Sequence, residues 1–180
     1  MVQSICVCGA GTMGSGIAQA AAQSGIYTLL FDLNKEVLQK AEANINSSLD
    51  SLVQKQKITE EQRRNISGNL QYINDISGCI ADVIIEAIIE KPEAKISLFN
   101  QLAEINHSDT IFASNTSSLS ISQLQQHIQQ PQRVAGMHFF NPATIMKLVE
   151  VVKGDQTNED VVTALTDLAK LMNKVPVICK

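Results

Sequence analysis

The sequence lacks several features that mark particular classes of protein. No apolar run approaches the ~20 residues that span a bilayer, so we expect no transmembrane helix. Basic residues are not in excess: 14 lysines and arginines stand against 18 acids, and a net charge of −4 does not favour nucleic-acid binding. Internal repeats, low-complexity tracts and flexible linkers are also missing. The 180 residues are expected to form one domain, 1–180.

Cysteine is scarce, and its spacing does not suggest a metal site. Cys6 and Cys8 lie on the same face of one predicted strand, but no second pair has the spacing of zinc ligands. We therefore expect no metal, and four reduced, mostly buried cysteines (the others are Cys79 and Cys179) as in a cytoplasmic protein. The first strand begins near residue 2, so we expect no signal or transit peptide.

Apolar runs alternate with helical patterns, which predicts an α/β fold with a mostly parallel sheet. The predicted strands are 4–7, 27–31, 70–73, 82–87, 110–114, 133–137, 147–152 and 175–178, and the predicted helices include 13–24, 92–105 and 159–172. A helical hairpin at about 35–67 interrupts the alternation, with a capping box at Thr59 opening its second helix. The hairpin is longer than a crossover needs, so we expect it to cover part of a ligand.

The most informative motif is Gly9-x-Gly11-x-x-Gly14, between the first predicted strand and the first predicted helix. Gly9 permits the tight turn, Gly11 lets a pyrophosphate approach the backbone, and Gly14 lets the helix pack close to the strand. The phosphates would then meet free N–H groups at the positive end of the helix dipole. Such turns also occur in βαβ units without a ligand, and for the motif alone that alternative stays open.

Asp32 supports the dinucleotide interpretation, because it closes the second predicted strand. A carboxylate there accepts hydrogen bonds from the adenosine ribose and repels a 2′-phosphate, which favours NAD over NADP. The strands, turn, helix and acid together predict a Rossmann-like, doubly wound sheet. Polar clusters at 86–95, 115–118 and 138–142 follow other strands, on the edge where such sheets bind ligands.

His138 is the one histidine of three that falls at a predicted strand end. It can exchange a proton near neutral pH, and Glu150 would pair with it if the chain turns back after the strand. Ser117 and Asn141 offer a hydroxyl and an amide for a substrate oxygen. Simpler alternatives stay open for all four: a histidine satisfied at a strand end, an acid facing water, a helix cap and a turn residue.

Together these residues resemble the NAD-binding domain of the L-3-hydroxyacyl-CoA dehydrogenase family, over essentially the whole chain. The shared stretches are 9–18, 86–90, 114–119, 138–142 and 146–150. The first is common to many dinucleotide enzymes, whereas the order and spacing of the last three are specific. The family has a C-terminal helical domain that forms dimers and supplies much of the acyl pocket; the chain stops before it, so we expect a truncated form of a homodimer.

The resemblance implies reversible, NAD-dependent oxidation of L-3-hydroxyacyl-CoA to 3-ketoacyl-CoA, with short chains such as 3-hydroxybutyryl-CoA. His138 would be the catalytic base, Glu150 its paired acid, and Ser117 and Asn141 contacts to the reacting oxygen. The implied NAD-binding residues are Gly9, Gly11, Thr12, Met13, Gly14, Asp32, Ala87, Glu90, Lys95, Asn115, Ser117 and Asn141. The implied CoA contacts are Ser48, Lys55 and Ser117.

One departure from the family is Thr144, where relatives often have proline; no reactive group is lost. Two other functions stay open: dehydrogenation of a different hydroxy acid, such as a sugar acid, and a non-catalytic NAD-binding module. The His138 and Glu150 pair argues against the module, because a pure binder does not need it.

Overall fold

The computed structural model describes residues 2–180. The strands are β1 (Ser4–Cys8), β2 (Tyr27–Phe31), β3 (Leu70–Ile73), β4 (Val83–Glu86), β5 (Ile111–Ser114), β6 (Val134–Phe139), β7 (Leu148–Val152) and β8 (Val175–Cys179). The helices are α1 (Thr12–Gln23), α2 (Lys35–Gln54), α3 (Glu60–Gly68), α4 (Pro92–Ile105), α5 (Ile121–Gln125) and α6 (Glu159–Leu171). The strands form one sheet in the order β3-β2-β1-β4-β5-β6-β7-β8.

The prediction of a doubly wound, mostly parallel sheet is confirmed. Strands β1 to β6 are parallel, whereas β7 is antiparallel to β6 and β8 is parallel to β7. The chain extends from β1 to β2 and β3 on one side and to β4 and β5 on the other. The topological switch point therefore lies between β1 and β4, where sheets of this kind bind ligands.

The two faces of the sheet have different cores, because successive strand residues point to opposite sides. On one face Ile5 and Val7 join a cluster with residues of α1 and α6, and on the other Cys6 and Cys8 join Phe99 of α4. The cysteine prediction is confirmed to this extent: Cys6, Cys8 and Cys79 are free and buried, and Cys179 is free and half-buried. No helix within residues 2–180 is long and apolar enough to cross a membrane.

The predicted helical hairpin consists of α2 and α3, which pack on each other and on α1. The capping box is present: the Thr59 hydroxyl accepts from the Gln62 N–H at 3.1 Å, and the Gln62 amide oxygen accepts from the Thr59 N–H at 2.8 Å. Helix α2 ends before the predicted residue 56, because Gln56 adopts a left-handed backbone with φ of 55°.

The end of β6 differs most from its predicted position, while the other strand boundaries agree to within one residue. The prediction ended β6 at residue 137 and placed His138 beyond the strand, but β6 continues to Phe139. Residues 136–139 pair antiparallel with 149–152, and this ladder, which depends on the return of the chain, extends the strand. His138 therefore lies within β6, directly opposite Glu150.

Candidate active site

The glycine turn after β1 has no room for side chains at two positions. Gly9 has a φ of +102°, and a Cβ there would lie 2.6 Å from the carbonyl oxygen of Ala87. A Cβ at Gly14 would lie 1.7 Å from the carbonyl oxygen of Gly9, so α1 can pack this closely only with glycine. At Gly11 the added atom would meet nothing within 4 Å, which leaves the backbone open to a ligand.

The N-terminus of α1 is suited to an anion. Gly11 precedes the helix in an extended conformation, and within residues 2–180 no side chain caps it and its first turn holds no acid. The first helical residues are Thr12 and Met13. Their N–H groups and the positive end of the helix dipole would therefore face a pyrophosphate, as the fit of a dinucleotide requires.

Asp32 connects the end of β2 to the glycine turn. Its Oδ2 accepts from the Ala10 N–H at 2.9 Å, and its Oδ1 accepts from the Asn34 N–H at 2.9 Å. A carboxylate has about four acceptor positions, so both oxygens can still accept from a ribose. Asp32 lines a cavity of about 330 Å³, the Asp32 cavity, with Gly9 and the apolar side chains of Ile88 and Leu98.

A second cavity, of about 350 Å³, lies on the other side of the glycine turn. We call it the Asn115 cavity. It brings together predicted site residues from four separate segments of the chain: Met13, Ala87, Glu90, Lys95, Asn115, Ser117, His138 and Asn141. The structure therefore shows these residues close together at the carboxyl edge of the sheet, as the sequence predicted.

His138 and Glu150 are paired across β6 and β7, with 2.8 Å between His138 Nδ1 and Glu150 Oε2. The side chains are 18% and 36% exposed, so the pair is partly shielded from solvent. The Phe140 ring packs against the imidazole with centroids 4.6 Å apart. The alternative in which Glu150 only faces water is wrong, because its carboxylate is bound to the imidazole.

A buried ion-pair network, which the sequence analysis did not identify, lies beneath the Asn115 cavity. Lys95 is 1% exposed, and its Nζ lies 2.6 Å from Glu86 Oε1 and 3.0 Å from Glu90 Oε2. Glu86 is fully buried and also accepts from the Ile88 N–H at 2.7 Å and the Ser114 hydroxyl at 2.6 Å. The signal in the sequence was an acid closing the apolar run of β4.

Glu90 extends this network to the cavity surface. Burial alone would raise its pKa, but hydrogen bonds from the Thr116 hydroxyl and the Lys95 ammonium lower the pKa below its ordinary value. The Ser118 hydroxyl donates to the same carboxylate at 3.2 Å. Glu90 is therefore a fixed anion beside the cavity.

Two loops complete the Asn115 cavity. The suggestion that Ser117 caps the next helix is wrong: Ser120 caps α5, and Ser117 is exposed. Asn115 holds the ends of β5 and β6 together, since its Oδ1 accepts from the Phe139 N–H at 2.8 Å.

Asn141 lies in the loop that joins β6 to β7. Lys174, which is buried, donates to the carbonyl oxygens of Ala143 and Met146 in that loop, the latter at 2.9 Å. Burial lowers the pKa of Lys174. The sequence analysis missed this support because the residues lie about 30 positions apart.

Two of the three predicted CoA contacts, Ser48 and Lys55, lie on the hairpin and line neither cavity, whereas Ser117 lines the Asn115 cavity. Ser48 is half-buried and its hydroxyl accepts from the Gln19 amide at 2.9 Å, which attaches α2 to α1. Lys55 is exposed at the end of α2. A role for either residue stays a prediction.

The geometry above is that of a dinucleotide site joined to an acid–base pair, and comparison with known proteins agrees. The family described as "3-hydroxyacyl-CoA dehydrogenase, NAD binding domain" matches residues 4–180. The chain belongs to this family. NAD is therefore the cofactor of this domain, as the sequence predicted.

Two individual proteins and one crystal structure are also similar to this domain. The 3-hydroxyadipyl-CoA dehydrogenase of Escherichia coli K12 is 45% identical over 179 residues, which cover 99% of this chain and 38% of that protein. A probable 3-hydroxybutyryl-CoA dehydrogenase of Bacillus subtilis is 40% identical, with 98% and 62% covered. The crystal structure of 3-hydroxybutyryl-CoA dehydrogenase from E. coli K12 has a TM-score of 0.97 and 44% identity, covering 99% and 38%. The domain thus spans 38–62% of these relatives.

Proposed function

We propose that this domain serves the reversible, NAD-dependent oxidation of L-3-hydroxyacyl-CoA to 3-ketoacyl-CoA, with short acyl chains. One observation carries the proposal: His138, whose Nδ1 is paired with Glu150, lines the Asn115 cavity together with Met13 of the glycine turn. A site that only bound NAD would not need this pair. The names of the relatives, 3-hydroxyadipyl-CoA and 3-hydroxybutyryl-CoA dehydrogenases, support the substrate class.

The residues have distinct parts in this proposal. Glu150 as a carboxylate only accepts hydrogen bonds, so it holds the proton on Nδ1 of His138 and leaves Nε2 free to take the proton of the 3-hydroxyl. Glu150 then stabilises the imidazolium that forms. Ser117 and Asn141 hold the substrate oxygen while it becomes a carbonyl. NAD, when bound, supplies the hydride acceptor.

The cofactor would lie across the glycine turn. The adenosine would occupy the Asp32 cavity, the pyrophosphate would meet the N-terminus of α1, and the nicotinamide would be held in the Asn115 cavity by residues such as Ala87, Glu90 and Asn115. Lys95 contributes through Glu90, because its ammonium is already bound by two carboxylates.

We extend the proposal to partners and location. The acyl-CoA would contact Ser48 and Lys55, and a homodimer would form through segments such as those the relatives carry outside the matched region. The three buried, free thiols favour a reducing compartment, for which we propose the cytoplasm.

An assay with acetoacetyl-CoA tests the substrate class. We expect NADH absorbance to fall with the CoA ester and hardly at all with free acetoacetate, in a catalytically active form of the protein. In the same assay, Lys55→Ala should raise KM for the ester two- to fivefold, the size of an exposed ion pair with a phosphate, with KM for NADH unchanged.

Lys57→Ala is the matched control, because it removes an exposed lysine two residues further along and should leave both KM values unchanged. If Lys55→Ala and Lys57→Ala raised KM for the ester equally, the result would contradict a specific contact between Lys55 and CoA. If the protein oxidised NADH with none of the CoA esters tested, the alternative function of a non-catalytic NAD-binding module would be favoured.

Asp32→Asn tests the choice of cofactor. The amide oxygen can still accept from the Ala10 N–H, so the variant removes the charge and keeps that bond, while the bond from the Asn34 N–H is lost. We expect the NAD-over-NADP preference, measured by calorimetric titration, to fall at least tenfold, about 1.4 kcal/mol. Asp109→Asn, which removes an equal charge in the turn that precedes β5, is the control. Equal affinities of the wild type for both cofactors would contradict the assignment.

A further inference from the structure

Three buried cysteines meet beneath the glycine turn. Cys6 and Cys8 lie on β1, and Cys79 follows a 3-10 turn in the connection between β3 and β4. Each is 0% exposed. The three sulfur atoms lie within 4.8 Å of one another, and those of Cys6 and Cys8 are 3.9 Å apart. The fold thus assembles a three-sulfur cluster, which we call the thiol triad.

The thiol triad has no other polar partner among the residues that the structure describes. No nitrogen or oxygen hydrogen-bonds to its sulfurs there, and no histidine or carboxylate joins the group. Around it pack apolar side chains, including Leu29, Ile84 and Phe99. The triad therefore offers an ion three sulfur ligands and an otherwise dry, apolar shell.

The type, number and spacing of the ligands in the thiol triad favour some metal ions over others. Thiolate sulfur is a soft ligand that favours Cu(I) and zinc over hard cations. Zinc in structural sites takes four ligands, and the triad supplies three. Metal–sulfur bonds of ~2.3 Å in a trigonal plane place the sulfurs about 4.0 Å apart, close to the separation of Cys6 and Cys8.

We propose that Cys6, Cys8 and Cys79 form a three-coordinate site for a single Cu(I) ion. Binding involves no change in oxidation state, and each sulfur that coordinates as a thiolate releases one proton to solvent. The connection between β3 and β4 carries one ligand and only a single 3-10 turn, so its opening would admit the ion. Once bound, the ion crosslinks β1 to this connection and stabilises the domain.

The site would lie next to the dinucleotide-binding turn. Cys8 immediately precedes Gly9, and its carbonyl oxygen accepts from the Ala87 N–H at 2.8 Å. The sequence analysis expected no metal because only Cys6 and Cys8 have a recognisable spacing. Cys79 joins them through the parallel pairing of β1 with β4.

The test is anaerobic titration of the reduced chain with Cu(I) against a competing Cu(I) chelator. We expect one Cu(I) per chain, an ultraviolet sulfur-to-copper charge-transfer band, a shell of three sulfurs by X-ray absorption, and a higher midpoint of thermal unfolding. Cys79→Ser should weaken binding at least 100-fold and abolish the rise in the midpoint. Cys179→Ser is the matched control, because it removes a cysteine outside the triad and should bind as the wild type does.

Several results would overturn the proposal: no binding by the wild type, equal loss in Cys179→Ser, a two-sulfur shell, or equal affinity for Zn(II). Circular dichroism and NADH binding of the metal-free variants must match the wild type for the comparison to count. If Cys79→Ser fails this check, Cys6→Ala gives the same test, with the same expected loss of copper and of the three-sulfur shell.

Discussion

His138→Gln should lower kcat by about 10²–10⁴-fold, the usual contribution of a positioned general base, while NADH affinity stays within about twofold of wild type. The glutamine can still hydrogen-bond, but it cannot take a proton from the 3-hydroxyl. Steady-state kinetics with a CoA ester and NADH titration measure the two effects, in a catalytically active form of the protein. Near-normal turnover would remove His138 from the mechanism.

A variant of Glu150 tests the other member of the pair. Glu150→Gln should also lower kcat, because a neutral amide cannot stabilise the imidazolium across the 2.8 Å contact. In the double variant the losses should be less than multiplicative, since the two residues act as one unit. Losses that multiply fully would argue against a coupled pair. As a control, Glu104→Gln removes an exposed acid near the end of α4 and should leave kcat unchanged.

Glu86→Leu should destabilise the domain by about 3 kcal/mol, the lower end of the cost of breaking a buried ion pair, because Lys95 keeps its second partner, Glu90. The substitution removes the carboxylate that lies 2.6 Å from Lys95 Nζ, and it leaves the Ile88 N–H and the Ser114 hydroxyl without their acceptor. Urea unfolding with linear extrapolation measures the free energy of unfolding.

A second substitution separates the ion pair from simple loss of packing. Replacing both partners, Glu86→Leu with Lys95→Met, should recover part of the lost stability, because apolar residues of similar volume often substitute well for a buried ion pair. Glu104→Leu is the control on an exposed acid and should change the free energy of unfolding by less than about 0.5 kcal/mol. A double variant no more stable than Glu86→Leu alone would contradict the assignment.

Much of the fold was predictable because its signals are local. The glycine spacing predicts a turn at Gly9 and close packing at Gly14, where an added Cβ would lie 1.7 Å from the carbonyl oxygen of Gly9. The capping box at Thr59 involves neighbours three residues apart. Element ends were less predictable: β6 runs past residue 137 because β7 returns to pair with it.

The candidate site was predictable only in part. His138 was proposed from its residue type at a predicted strand end, and Glu150 from its place as an acid within the apolar run of the next predicted strand. The alternative in which Ser117 caps the next helix was wrong, because the chain continues three residues further and Ser120 caps α5. Lys174 was missed, since nothing in the sequence around it shows that its ammonium reaches the loop after β6.

By itself, the sequence determined the order of strands and helices, the dinucleotide-binding turn, the cofactor and the residue types of an acid–base pair, because each depends on short-range patterns. Tertiary structure decided which distant groups meet: Glu86 with Lys95 and Ser114, and Cys79 with Cys6 and Cys8. The physical reason is that these contacts require strands far apart in the chain to be neighbours in the sheet. Burying a charge or a thiol costs free energy unless a suitable partner lies beside it, and the neighbouring residues in the sequence do not show which distant residue that partner is.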